Sequence, residues 1–362
     1  MRFGALFQLI SATTGALMLA LFPARTLAEE PAYSGWQLYL DNDLFSGEST
    51  DRDYTGGLAW SVNGSETRQY WYSLDGWLTA IDRFTGMDEH HNGGKKYREP
   101  VITKHSVEIG VTLFTPMDVR DPDPIENDHP YANLLFLANT HQTMPFEGRY
   151  VYQSALAIGF LGLPVGEALQ KSIHSLVGNS RPQGWDHQIS NGGEPTFRYS
   201  VGRQEILSAT RSGPLSFNLL GGTEIGVGYS TDVTALMNFR WGKFNSPWWS
   251  FTPHQADYIS LGVTEVNHSE QKPEKELFIW GGASLKLRAY NAILQGQFRH
   301  SDVAFAPDEL NHLIAEGWLG VTRKNAHGWG LSFVLRGRTN EIRGPNRHGP
   351  VWGSIIISHS LR

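Results

Sequence analysis

The sequence predicts an all-β chain that closes into a transmembrane antiparallel β-barrel of about twelve strands, with short helical segments in its connections. Three observations predict it. The N-terminus reads as an export signal, no later apolar run is long enough to cross a bilayer as a helix, and apolar residues alternate with small or charged ones along most of the chain.

The export signal is read over residues 1–28. Arg2 supplies the positive charge, residues 6–21 are mostly apolar and small, and Thr26-Leu27-Ala28 has the small-residue pattern of a cleavage site. Residues 29–362 then form one outer-membrane barrel domain. A membrane helix needs about 20 apolar residues, so this domain can cross only with strands, whose backbone groups are satisfied once the sheet closes. With 39 Gly, 12 Trp, 13 Tyr and 18 Phe in 362 residues, the composition suits a barrel with aromatic girdles. The absence of cysteine excludes a disulfide framework and a thiolate metal site. A net charge of −6 without a basic run argues against a nucleic-acid partner.

Alternation locates the strands. Val107, Ile109, Val111 and Leu113 share one face, and Glu108, Gly110 and Thr112 the other. Leu285, Leu287 and Ala289 oppose Ser284, Lys286 and Arg288; Leu331, Phe333 and Leu335 oppose Ser332, Arg336 and Arg338. Apolar-out and polar-in is the barrel pattern. Strands are expected at 35–43, 53–63, 103–114, 130–141, 150–160, 194–207, 214–228, 232–242, 277–298, 313–324, 328–339 and 350–360, with 257–266 an extra strand or part of an insertion. Helical periodicity interrupts them at 71–84 and 165–177, the second ending at Gly178. If the N-terminus starts in the periplasm, connections 42–53, 115–129 and 161–193 all lie outside the cell, where their residues can meet.

Those connections hold the polar chemistry. The first contains Asp41-Asn42-Asp43 and Asp53-Tyr54-Thr55-Gly56-Gly57-Leu58, a set of oxygen donors suited to a hard cation such as Ca²⁺. Counting from Leu38 and Leu40 turns Asn42 outward and Asp43 toward the lumen, so using both requires a bulge at the rim; counting from Leu58 and Trp60 turns Thr55 inward. In the third, Glu167, Gln170, Lys171 and His174 share the helix face opposite Val165, Leu169 and Ile173. An imidazole there can act as a general base.

Together these blocks resemble the outer-membrane lipid A 3′-O-deacylase family. The likeness runs through Asp41-Asn42-Asp43, Asp53 to Leu58, Phe114-Thr115-Pro116, Asp128-His129-Pro130-Tyr131-Ala132, and Ile173-His174-Ser175 onward into Arg181-Pro182-Gln183-Gly184-Trp185-Asp186-His187-Gln188, roughly residues 35 to 200. It implies a twelve-stranded barrel, a lipid A or lipopolysaccharide substrate, Ca²⁺ dependence with Asn42 and Asp43 as metal ligands, a site facing the extracellular leaflet, and catalytic roles for Asn42, Asp43, Thr55 and His174. The family's lysine after the third strand has no direct counterpart; Arg120 is the nearest cation and takes its expected place at the oxyanion. Two further departures are His129, where the pattern has Arg, and a C-terminus ending Ser360-Leu361-Arg362 instead of an aromatic residue.

Two other functions fit a barrel: a phospholipase with a serine nucleophile, although GxSxG is absent, and a non-enzymatic channel whose lumen carries Arg288, Arg336 and Arg338. Oligomeric state leaves no mark on the sequence.

Overall fold

The computed structural model describes residues 30–46, 53–91, 101–125, 128–145, 149–177, 182–251, 275–344 and 349–361. The export signal at 1–28, the segment at 257–266 and the helix stop at Gly178 lie outside them. The strands are β1 (Gly35–Asn42), β2 (Asp53–Asn63), β3 (Val101–Thr115), β4 (Ala132–Pro145), β5 (Tyr150–Leu161), β6 (Glu194–Ser212), β7 (Leu215–Gly228), β8 (Ser230–Lys243), β9 (Glu276–Asn291), β10 (Leu313–Lys324), β11 (Trp329–Arg338) and β12 (Val351–Ser360). Each pairs antiparallel with its sequence neighbours, and β1 pairs with β12 to close the barrel, Gly35 opposite Ser360 and Asn42 opposite Gly353. Closure leaves no unpaired edge, which is the condition for strands in hydrocarbon.

Alternation sorts the side chains. Cross-strand partners share a face, so Leu40 opposite Leu58 and Trp60 opposite Ile109 mark one face, on which Leu58, Trp60 and Ile109 are exposed. That is the lipid face. The other parity points inward and is buried even where it is charged: Glu108, Arg198, Lys286, Arg288, Arg336 and Arg338. The four arginines are paired, Arg198 with Glu224 at 3.0 Å and Asp232 at 3.2 Å, Arg338 with Glu341 at 3.2 Å, Arg288 with the same Glu341, and Arg336 with Glu316 at 3.9 Å. Tyr54, Phe114, Leu134, Phe136 and Trp352 add a cluster on the inward parity. The lumen is therefore filled by side chains, as expected for a narrow barrel.

The strand expected over 277–298 stops at Asn291. There the Asn291 side chain accepts from Ile293 N–H at 3.2 Å and caps a one-turn helix, Ala292–Gln295, which Gly296 ends at φ 67°. Apolar Ala292, Ile293 and Leu294 continue the run that suggested a strand but are buried on a helical turn.

Two longer helices lie against the wall at opposite rims. Helix α1 (Asp75–Thr85) joins β2 to β3, and α2 (Val165–Val177) joins β5 to β6. The periodicity over 71–84 starts α1 one turn early, because Tyr70 to Ser73 form a turn that Gly64 and a 3₁₀ segment, Ser65–Gln69, lead into. Helix α1 buries Asp75 and Asp82 together with Leu78, while Trp77 is 67% and Phe84 92% exposed. Its apolar face continues the barrel's lipid face.

Candidate active site

The connections β1–β2, β3–β4 and β5–β6 meet at one rim, as strand parity requires. Gln183 N–H donates to Val119 C=O at 2.9 Å, Tyr131 O–H donates to the same carbonyl, and Ile189 N–H donates to Tyr131 C=O at 2.8 Å. Asn133 on β4 fixes α2: its amide donates to Leu163 C=O at 2.8 Å and to the Gln188 side chain at 2.7 Å. Gly166 lets the first turn of α2 press on that asparagine, since a Cβ there would lie 2.7 Å from Nδ2. Val165 and Leu169 then pack with Val111, Leu113, Tyr131 and Trp185. Val111 and Leu113 are on the lipid-facing parity, so α2 covers the outside of the barrel wall.

Between α2 and the wall is a cavity of about 320 Å³. His174 and Gln170 enter it from α2, and Asn42, Thr55 and Gly56 from β1 and β2; Leu40, Leu58, Val111, Leu113 and Leu169 make its walls apolar. Gln170 and His174 are one helical turn apart, and both are buried. Trp185 Nε1–H donates to Gln170 Oε1 at 2.8 Å, which fixes the helix face.

The opposite side is shaped by a bulge. Register between β2 and β3 shifts between Tyr54 and Gly56, leaving Thr55 as the extra residue. This corrects the expectation that Thr55 points inward: unpaired, it escapes the alternation, lines the outer cavity, and its Oγ1 shares a 2.5 Å hydrogen bond with Thr115 Oγ1. Tyr54 keeps the inward parity, where its hydroxyl donates to Asp41 Oδ2 at 2.7 Å. Asn42 lies outward, its amide donating to Thr55 C=O at 3.1 Å and its Oδ1 accepting from Leu44 N–H at 3.0 Å. Gly56 permits this approach, because a Cβ would come within 2.7 Å of Asp41 C=O. Asp43 is buried and opens a 3₁₀ turn, Asp43–Ser46, whose Leu44 and Phe45 form one edge of the cavity; its Oδ1 accepts from Leu44 N–H at 2.9 Å. The bulge lies on β2 rather than between Asn42 and Asp43; the chain leaves strand geometry at Asp43, whose neighbours Leu44 and Phe45 line the cavity while Asp43 itself does not.

Arg120 is not brought to this cavity. Its side chain is 67% exposed and pairs with Asp118, Nε to Oδ1 at 3.1 Å, and the hydrogen bonds from Arg120 hold the Asp118 carboxyl below its usual value. His129 is buried, stacked on Phe114 with centroids 5.1 Å apart, and so braces the wall. Gln170 received no role from the sequence, although its i, i+4 spacing to His174 was the available signal. Trp185 owes its part to a contact 15 residues away, which no local pattern encodes.

The family model for outer membrane protein LpxR matches residues 11–361. The chain belongs to the LpxR family. In fold it is similar to LpxR from Salmonella typhimurium, with a TM-score of 0.67 at 15% identity over 91% of this chain and 100% of that one. Two more distant barrels superpose less well: the β domain of the Bordetella autotransporter BrkA, at TM-score 0.42 and 8% identity over 91% of this chain and 100% of that one, and the translocator domain of NalP from Neisseria meningitidis, at 0.36 and 8% over 99% and 98%. No curated protein matches the sequence. As an LpxR-family protein, the chain is an outer-membrane β-barrel.

Proposed function

We propose that this barrel is a lipid A 3′-O-deacylase, hydrolysing the ester-linked acyl chain at the 3′ position of lipid A in the outer leaflet. One observation carries the reading. Asn42, Thr55 and His174, polar residues of the family motifs, line an apolar cavity outside the barrel wall, where a membrane lipid reaches them without leaving the bilayer. The rim with α2 faces the extracellular leaflet in this reading, and residues 1–28 are the export signal that precedes a single barrel domain.

The chemistry follows from the groups present. His174, buried beside apolar walls, takes the proton of a water that attacks the ester carbonyl and returns it to the leaving alkoxide, so no covalent acyl-enzyme is needed. The Gln170 and Thr55 side chains line the same space and orient the ester, and Leu40, Leu58 and Leu169 hold the acyl chain. Asn42, Asp43 and the Thr55 bulge offer amide, carboxylate and main-chain oxygens without sulfur or imidazole, a donor set that suits Ca²⁺ better than zinc. Held by Asp43 and Asn42, Ca²⁺ would supply Lewis-acid polarisation of the carbonyl.

The decisive assay is mass spectrometry of lipid A incubated with the purified protein in detergent. His174→Ala is expected to lower turnover by about 10²–10⁴-fold while the barrel stays folded. Full activity in that variant would remove the histidine from the mechanism. Chelation is expected to silence the wild-type enzyme and added Ca²⁺ to restore it; undiminished turnover in EDTA would reject the metal. A serine nucleophile is less suited to this cavity, since among the described residues that line it the one hydroxyl belongs to Thr55, already paired with Thr115.

A further inference from the structure

A second polar cluster lies at the opposite rim, also outside the barrel wall, beneath α1. His105 on β3 and His141 on β4 are cross-strand partners on the lipid-facing parity, with ring centroids 4.9 Å apart and nearly perpendicular. Asp75 at the start of α1 faces both, and one ligand atom from each of Asp75, His105 and His141 lies within 4.8 Å of the others. Two imidazoles and a carboxylate on a lipid-facing wall are costly unless something holds them.

The surroundings are those of metal-bound histidines. His141 contacts Asp75 Oδ1 through Nε2 at 2.8 Å and Asp82 Oδ2 through Nδ1 at 3.0 Å. His105 places its Nδ1 2.6 Å from Glu30 Oε2. Each imidazole therefore has a carboxylate fixing its Nδ1, the arrangement that orients and strengthens histidine ligands. Asp82 is itself held by Ser154 O–H at 2.8 Å and Tyr199 O–H at 2.8 Å. Among the described residues, three carboxylates, Glu30, Asp75 and Asp82, converge here, and the permanent cation paired with them is Arg68, 3.2 Å from Asp75. A dication matches the two uncompensated charges. The 2.8 Å between His141 Nε2 and Asp75 Oδ1 needs to open by about half an ångström to reach the edge of a tetrahedron with bonds of ~2.0 Å.

We propose that Asp75, His105 and His141 form a Zn²⁺ site that clamps α1 to the outer wall, separate from the Asn42–His174 cavity and independent of the function assigned to it. Two nitrogens and one carboxylate oxygen favour zinc over calcium, and a water completes four-coordination. The clamp explains why α1 turns its acidic residues to the barrel and its aromatic residues to lipid.

The test is metal binding by the full-length mature barrel in detergent, stripped with chelator and titrated with Zn²⁺ and separately with Co²⁺. The site predicts one tight equivalent of Zn²⁺ and a tetrahedral Co²⁺ ligand-field spectrum. In Asp75→Asn and His105→Gln, with folding verified by circular dichroism, affinity is expected to fall at least tenfold; His174→Ala, at the other rim, is expected to retain it. No ligand-field bands in the folded wild-type protein would overturn the site and leave His141 as an imidazolium between two aspartates. Zinc lost in His174→Ala but kept in His105→Gln would assign the ion to the other rim and equally overturn it.

Discussion

His174 and Asn42 reach one cavity from elements 132 residues apart in sequence, and each is placed by a local rule: a helical turn in one case, a strand end in the other. Arg120 is the contrasting residue. Its position after β3 made it the stand-in for the family's lysine, but an exposed side chain paired with Asp118 has no path to the ester. Arg120→Ala is therefore expected to change turnover less than about threefold, in line with the small energies of exposed ion pairs; a loss approaching that of His174→Ala would show the loop closing over substrate.

Helix α2 can act only while it is held to the wall, and Asn133 is the hinge pin. Removing its amide in Asn133→Ala forfeits two buried hydrogen bonds and leaves the Leu163 carbonyl and the Gln188 side chain to find other partners, at a cost of about 1–3 kcal/mol for each. Expected are a lowered kcat and faster amide exchange in α2 with barrel closure unchanged; unaltered exchange would mean that Trp185 and the apolar contacts suffice. Helix α1 makes a different prediction at the same scale. With Trp77 turned away from the barrel, its fluorescence in bilayers should be quenched by brominated lipids, whereas a helix lifted into water would leave it unquenched.

The whole molecule is a closed wall around a filled lumen, with its two candidate sites on the outside. Glu341 joins Arg288 and Arg338 in the interior, so Glu341→Gln leaves buried guanidinium charge uncompensated. A loss of about 3–5 kcal/mol in urea unfolding is expected; a loss below 1 kcal/mol would mean that water already reaches these arginines. A channel in which those arginines conduct anions would show steady conductance in planar bilayers, and the paired, buried side chains predict none.

Strand number, order and the two helices were legible in the sequence because alternation and helical periodicity are local: a period of two with a greasy parity admits one solution once the chain must hide its backbone from lipid. Motif spacing singled out Asn42, Thr55 and His174, which line one cavity, whereas Asp43 is buried in the turn beside it. Which side of the wall they occupy was decided by tertiary structure. One bulged residue at Thr55 reverses a parity count, and the contact of α2 with Asn133, Tyr131 and Trp185 chooses the outer face. Pairing of Arg120 with Asp118 instead of the cavity, and the meeting of Asp75 with His105 and His141, were decided there as well, because they depend on distances between segments that alternation orders but does not measure.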